Sequence, residues 1–336
     1  MFEKPIFDRP NVLVTGGAGF IGSRLCERLL ERAKVICADN FVSGTERNIH
    51  HLFQNPNFIF LKQDVAVPFD LTTFPELERF KVKFQGVQEV YHFACPTSPK
   101  DFENLRIPTL IANAYGTVNT LHIAQQYEAR YILGSSSVVY GDAAKEGEFQ
   151  QEDHYGVVDH LGPRACYDEG KRFAETVVAT YRQQYGIDAK IARIFRTYGP
   201  RQRLRIGEML PDFIVNALEG RDLVVYGDES FTTSLAYVDD VVDGILKLMA
   251  SEEGGPMNFG GNESYKIADV AQKVIELTNS TSKIRFEQPL LFMRAQGIPD
   301  IGRAREALGW TPIVRLEDGL KLSIEYAQAH KEMLGY

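Results

Sequence analysis

The chain has 336 residues, of which 44% are hydrophobic, and a formal charge of -8. That length exceeds the usual single domain, so a large domain with a smaller lobe is expected, with enough apolar material for a sizeable core. The acidic balance excludes general binding of nucleic acid or acidic membrane, and an anionic substrate would need a local basic pocket.

The opening MFEKPIFDRP lacks the apolar core of a signal peptide, and no apolar run approaches membrane-spanning length, which predicts a cytoplasmic protein without a membrane partner. The first half then alternates short apolar runs with longer amphipathic segments. Residues 11–15, 35–39, 58–62, 89–94 and 130–136 read as buried strands, and 22–32 and 113–127 show helical spacing. A further strand is expected over 188–194. This βαβ rhythm predicts an α/β fold, a Rossmann doubly wound parallel sheet with a smaller C-terminal substrate-binding lobe. The Rossmann domain would span 8–195, with return elements near 234–250. The substrate lobe would take 196–233 and 251–330, ending in a charged amphipathic helix.

Gly16, Gly19 and Gly22 in VLVTGGAGFIG follow the first strand and open the first helix. Glycine permits the tight turn and lets backbone amides, those of Phe20 and Ile21 included, approach a pyrophosphate at the positive helix end. Asp39 closes the second strand, near the distance at which an acid binds the adenosine ribose hydroxyls. A carboxylate there favours NAD over NADP, since it would repel a 2′-phosphate. Asn40, Ser43 and Gly44 follow it, and Asp64, Val65 and Ala94 end the next strands; all six join the expected cofactor set. Asp64 has the alternative of a plain solvated strand end.

Ser135-Ser136-Ser137 ends the fifth strand, and CYDEGKR places Lys171 four residues after Tyr167. On a helix those two side chains share a face, and a nearby ammonium favours the phenolate, so Tyr167 can serve as a general base. Ser136 can hydrogen-bond the reacting hydroxyl and relay its proton. Ser136, Tyr167 and Lys171 are therefore the candidate catalytic residues, the last two also touching the cofactor. Arg193, Arg196, Arg201, Arg203 and Arg205 form the richest basic stretch, suited to a diphosphate or to an exposed loop. Ser137, Arg196, Arg201 and Tyr226 are assigned to the substrate. Cys26, Cys37 and Cys95 lie in apolar runs and read as buried thiols of a reducing cytosol, and Cys166 joins no CxxC. The seven histidines show no metal-binding spacing, so no metal is assigned.

Taken together these motifs resemble the extended short-chain dehydrogenase/reductase family of sugar-nucleotide epimerases, dehydratases and decarboxylases. TGGAGFIGS, NAYGTVNTL, YDEGK, ARIFRTYGPR, YVDDVVDGI and the late ALGW carry the resemblance over essentially the whole chain. HFACPTSP, GPRACYDEGKR and CADNFVSGTERNIHHL are most similar to the UDP-glucuronate decarboxylases within it. The resemblance implies tightly held NAD, a UDP-linked nucleotide-sugar substrate and a homodimer packed through helices near 107–127 and 167–185. It further implies that Tyr167, helped by Ser136, removes the proton of the sugar 4-hydroxyl while NAD takes the C4 hydride and Lys171 holds the nicotinamide ribose. In a glucuronosyl substrate the resulting ketone is β to the C5 carboxylate, so carbon dioxide can leave.

Four places depart from that pattern. Val138 stands where the decarboxylases ordinarily carry a glutamate, Arg196 where they carry an asparagine, and Thr233 where they carry an arginine. The late stretch reads Met293-Arg294-Ala295-Gln296-Gly297-Ile298-Pro299-Asp300-Ile301 and is also altered. Two readings of Arg196 stay open: it serves the same sugar carboxylate from another wall, or it marks a different sugar. The functions expected are thus a UDP-glucuronate decarboxylase or, alternatively, a UDP-hexose or UDP-hexuronate 4-epimerase. A 4,6-dehydratase fits less well, because its Asp-Glu pair would fall at Ser137-Val138. A non-catalytic NAD-binding regulatory protein is the reading from another class.

Overall fold

In the computed structural model, which describes residues 9–98, 104–142, 148–289 and 297–330, the apolar runs become neighbouring strands of one sheet. They are β1 (Asn11–Thr15), β2 (Lys34–Asp39), β3 (Phe58–Lys62), β4 (Glu89–His92), β5 (Arg130–Ser136), β6 (Ala189–Ile194) and β7 (Pro256–Phe259). Their spatial order is β3-β2-β1-β4-β5-β6-β7. β1 pairs in parallel with both β2 and β4, β2 with β3, and β4 with β5. Parallel strands need crossovers, and the amphipathic segments supply them as helices. The order reverses between β1 and β4, leaving a crevice beyond the carboxyl ends of those strands, where ligands bind in open α/β sheets. This is the doubly wound α/β fold expected from the sequence.

Some boundaries differ, each for a local reason. The first helix, α1, runs Phe20–Leu29 rather than 22–32. β4 ends at His92, although the Phe93 amide still donates to Thr15 O at 3.0 Å. The helical spacing read over 113–127 continues an earlier helix, α2 (Arg106–Ile111), through a π-helical turn at Ala112–Gly116 into α3 (Thr117–Tyr127). At that turn Thr117 Oγ1 donates to Asn113 O at 2.6 Å and Thr120 Oγ1 to Gly116 O at 2.8 Å. Such back-bonding competes with the regular ladder. The helix carrying Tyr167, α4, spans Ala165–Tyr185. Cys26 and Cys37 are buried as expected, whereas Cys95 is only half-buried, because it follows the strand end. All four cysteines are free thiols.

Chain segments group into two compact units. One comprises Met1–Cys95, Leu110–Gly134 and Phe173–Ile191, the other Pro96–Thr109, Ser135–Arg172 and Ala192–Tyr336. In the first, Leu13, Ile36, Val90, Leu121, Tyr131 and Leu133 belong to one buried cluster. In the second, the helix Val238–Ala250 buries Val238, Val241, Val242, Ile245, Leu248 and Met249, a helical spacing that presents one apolar face. The terminal helix Leu316–His330 does the same with Leu320, Ile324 and Ala327. Among the described residues no helix is long and apolar enough to cross a membrane.

Trp310 explains why the ALGW and YVDDVVDGI segments go together. Its indole Nε1 donates to Asp240 O at 2.8 Å, and its ring meets Phe259 edge-on with centroids 5.0 Å apart. A Cβ on Gly244 would lie 2.4 Å from the Phe259 ring and 3.0 Å from the indole nitrogen, so this helix position admits only glycine. Asp240 also accepts from Val314 N at 3.0 Å, fastening the chain just beyond the tryptophan. Truncating a large aromatic side chain that is 1% exposed leaves a cavity and an unpaired carbonyl. Trp310→Ala is therefore expected to lose about 3–5 kcal/mol of stability in a denaturant titration; a loss near zero would show that this contact carries little.

Candidate active site

The glycine turn after β1 is built by close approach of backbone to backbone. Gly16 adopts φ +71°, and a Cβ there would fall 2.6 Å from Ala94 N and from the Phe93 carbonyl carbon. A Cβ on Gly22 would lie 2.1 Å from Gly16 O, so the first turn of α1 can pack on this loop only as glycine. Gly16 O accepts from Gly19 N at 3.0 Å, and Gly19 caps α1 without any side-chain hydrogen bond. The first-turn amides of Phe20, Ile21 and Gly22 therefore stand at a positive helix end that no acidic side chain of that turn covers.

Asp39 stands at the end of β2, 7% exposed. Its Oδ2 accepts from Ala18 N at 3.0 Å and its Oδ1 from Phe41 N at 2.8 Å. Burial pushes this carboxyl up from its ordinary value, while the backbone amides of Phe41, Ala18 and Asn40 pull it back. The segment from Asn40 to Gly44 folds over it: Asn40 Oδ1 accepts from Val42 N at 3.1 Å, and Thr45 N donates to Ala18 O at 3.1 Å. A Cβ on Gly44 would come within 3.0 Å of Asp39 Oδ2, and Ser43 beside it is half-buried. Asp64 is exposed and closes its own turn, Oδ1 accepting from Ala66 N at 2.9 Å. Val65 is buried, and its carbonyl accepts from Asn119 Nδ2 at 2.8 Å. The side-chain-free cradle, the uncovered helix start and the buried acid at the second strand fit a dinucleotide.

The second group of residues lies at the end of β5. Ser136 precedes a 3-10 turn, Ser137–Tyr140, and its Oγ accepts a long 3.4 Å bond from Val138 N. On α4, Tyr167 and Lys171 are 7% and 4% exposed, and Lys171 Nζ stands 5.9 Å from the centre of the Tyr167 ring. The start of α4 is fixed by Arg164 O, which accepts from Tyr167 N and Asp168 N at 2.9 and 3.0 Å. The turn and the helix are clasped together by a residue that motif reading did not single out. Arg172 Nη1 donates to Val139 O at 2.9 Å and to Tyr155 O at 2.7 Å.

Tyr140 is a scaffold group. Its hydroxyl donates to Asn258 Oδ1 at 2.7 Å and accepts from Arg193 Nη1 at 2.9 Å, with the guanidinium 4.8 Å from the ring centre. Burial pushes its phenol up to about 12, against the pull of Arg193. That leaves it neutral through the ordinary pH range. Ser137, Val138, Tyr140, Gln150, Arg164 and Phe195 line one pocket, to which Val138 contributes an apolar wall.

Two of the departures touch each other: Arg196 Nη1 donates to Thr233 Oγ1 at 2.9 Å, and to Met209 Sδ at 3.8 Å. Burial and the charge of Arg164 lower the pKa of Arg196, opposed by Glu208. Glu208 is itself pushed up by burial, although Gln202 donates a hydrogen bond to it and Arg196 and Arg203 oppose the shift. Arg201 is half-buried in a left-handed conformation at φ +72°. Tyr226 ends the strand Leu223–Tyr226 and pairs with Glu287. Of the altered late stretch, Met293 to Gln296 lie outside the described residues. Ile298-Pro299 pairs with Phe149-Gln150, and Asp300 Oδ1 accepts from Gly302 N at 2.8 Å. Among the described residues no group of three or more His, Cys, Asp or Glu side chains could hold a metal ion.

Comparison with known proteins identifies the family of the chain. The model of the NAD dependent epimerase/dehydratase family matches residues 12–268. UDP-glucuronic acid decarboxylase 1 of Danio rerio is 40% identical over 320 residues, 95% of this chain and 73% of that protein. UDP-glucuronic acid decarboxylase 3 of Arabidopsis thaliana is 39% identical over 95% of this chain and 90% of its own length. Among solved structures, UDP-glucuronic acid 4-epimerase of Bacillus cereus in complex with UDP-glucuronic acid and NAD superposes with a TM-score of 0.82 at 27% identity. That match covers 95% of this chain and 99% of the other. The chain belongs to the NAD dependent epimerase/dehydratase family, the extended short-chain dehydrogenase/reductases.

Proposed function

We propose that this enzyme is a UDP-glucuronate decarboxylase that releases UDP-xylose and carbon dioxide. The observation that carries the reading is the 40% identity to a UDP-glucuronic acid decarboxylase across 95% of the chain. Tyr167 accepts the proton of the sugar 4-hydroxyl, with Ser136 hydrogen-bonded to the same oxygen and the Lys171 ammonium stabilising the phenolate. NAD, when bound, would supply reversible hydride chemistry at C4, with no net redox equivalent consumed over the cycle. The C4 ketone is β to the C5 carboxylate; the C5–carboxylate bond breaks, its electron pair enters the carbonyl, and a proton is then added at C5. Gly16, Gly19, Phe20, Ile21 and Gly22 offer amides to the pyrophosphate, Asp39 takes the adenosine ribose, and Asn40, Ser43, Gly44, Asp64, Val65 and Ala94 border the adenosine half. Ser137, Arg196, Arg201 and Tyr226 contact the substrate.

A second reading is favoured by Val138. An apolar side chain at that place in the pocket neither donates a proton nor orients water, which suits a 4-epimerase whose ketone only turns and is reduced again. The class is accordingly lyase on the first reading and isomerase on the second. Free thiols suit a reducing compartment, and we place the enzyme in the cytoplasm. A homodimer is also proposed. Leu110 and Tyr115, on α2 and the π turn, and Phe173 and Tyr185, on α4, are 47–62% exposed apolar side chains on the helical segments that family members pair.

Incubation of purified protein with UDP-glucuronate is expected to give equal amounts of carbon dioxide and UDP-xylose; UDP-galacturonate without gas would replace this reading by the epimerase. Tyr167→Phe should lower kcat by about 10²–10⁴-fold, the worth of a general base, while NAD affinity stays within about threefold. Near-normal turnover in that variant would remove Tyr167 from its role. Light scattering should give twice the monomer mass, and Leu110→Glu with Phe173→Glu should return the monomer; a monomeric parent would end the dimer proposal.

A further inference from the structure

Arg196 is a half-buried guanidinium whose hydrogen-bond partners are both uncharged. Its Nη1 donates to the Thr233 hydroxyl at 2.9 Å and to the Met209 thioether at 3.8 Å, and among the described residues no carboxylate lies within ion-pair distance of it. Its backbone is fixed as well, since Arg196 O accepts from Ala236 N at 3.1 Å, so the strand exit and the 233–236 segment hold it from both ends. Glu208 acts on it electrostatically from beyond contact, and that carboxylate already accepts from Gln202.

A second cation stands at the pocket beside this strand exit. Arg164 lines the pocket that also carries Ser137, Val138 and Phe195, the residue before Arg196. Arg164 is anchored by a 3.5 Å ion pair to Asp168, whose side chain is fully buried in α4. A guanidinium held only by a hydroxyl and a thioether is stabilised by an oxyanion that gives it a charge-assisted partner. The carboxylate-matching fork of arginine suits a planar oxyanion in particular.

We propose that Arg196, positioned by Thr233 and seconded by Arg164, is the specificity-determining residue that selects a nucleotide sugar bearing a carboxylate over a neutral one. The inference rests on the nucleotide-sugar reading of the site and names the carboxylate as the anion, because Arg164 opens onto the pocket beside the Ser136 turn, where the sugar reacts. Under this arrangement Arg196 contributes a charge-assisted hydrogen bond to the sugar acid and takes no part in the proton transfers at C4. It acts alike whether the ketone loses carbon dioxide or is reduced on its other face.

The test is calorimetric titration of NAD-loaded Tyr167→Phe protein, in which turnover is blocked, with UDP-glucuronate, UDP-glucose and UDP. UDP-glucuronate should bind more tightly than UDP-glucose. Arg196→Gln in that background should weaken UDP-glucuronate by about 10- to 150-fold, the worth of a hydrogen bond to a charged group, and leave UDP-glucose and UDP within about threefold. Thr233→Val keeps the charge but removes its hydroxyl support, and should give a smaller loss confined to UDP-glucuronate; it also serves if Arg196→Gln does not fold. Equal losses for all three ligands would assign Arg196 to the diphosphate and overturn the proposal. So would unchanged affinity for UDP-glucuronate, or a parent protein that binds the neutral sugar as tightly as the acid. Decarboxylation is read separately, as gas, so its absence would leave a selective loss of acid binding fully informative.

Discussion

The contact on which the nucleotide half of the molecule depends is the one between Gly22 and the Gly16 carbonyl, a helix backbone lying against a strand-end turn with no room for a side chain. That approach sets where α1 begins, and so where its uncovered amides stand. It also brings Ala18 among three partners: its amide donates to Asp39 Oδ2, and its carbonyl accepts from Thr45 N and, at 3.0 Å, from Asn48 Nδ2. One steric constraint near the switch point of the sheet thereby organises the loops that follow β1 and β2.

The turn after β5 is ordered by different means. There the backbone of Ser137–Tyr140 is held from outside by long cationic side chains, Arg172 on the Val139 carbonyl and Arg193 on the Tyr140 hydroxyl. Asn258 completes the set, its Oδ1 accepting from the Tyr140 hydroxyl and its Nδ2 donating to Gln150 O at 2.8 Å. Buried polar networks of this kind rigidify when every member is satisfied, and a rigid turn is what the role proposed for Ser136 requires. The pocket wall itself is left to Val138, which brings no polar demand of its own.

Much of the architecture was legible in the sequence because buried parallel strands are short apolar runs and a glycine turn has its own spelling. Strand positions came out within a residue or two for that reason. The start of α2, expected near 107 from the resemblance, did not show in the spacing itself, since the segment before Asn113 lacks clear periodicity and the π turn interrupts it. In the candidate site, residue types were visible and partners were not. Arg172 reads as one more charge on a helix, and its role depends on carbonyls 17 and 33 residues away in sequence. Likewise Arg196 and Thr233 stood out separately as unusual, but their mutual bond across 37 residues is a product of the fold.

Asp39 has a consequence for how cofactor preference can change in such a protein. Its two carboxylate oxygens terminate two backbone amides, Ala18 N in the glycine loop and Phe41 N in the next. Under its proposed role the same oxygens also meet the ribose, so one side chain serves as both selector and joist. Removing its charge to admit a phosphorylated ribose would at the same time strand a buried amide and loosen the loop over it, at a cost of about 1–3 kcal/mol. A change of preference from NAD to NADP is therefore a coupled move in this chain: the selector can be replaced only by a residue that still accepts from Ala18, accompanied by a new cation for the phosphate. That coupling makes the nucleotide preference resistant to drift by single substitutions.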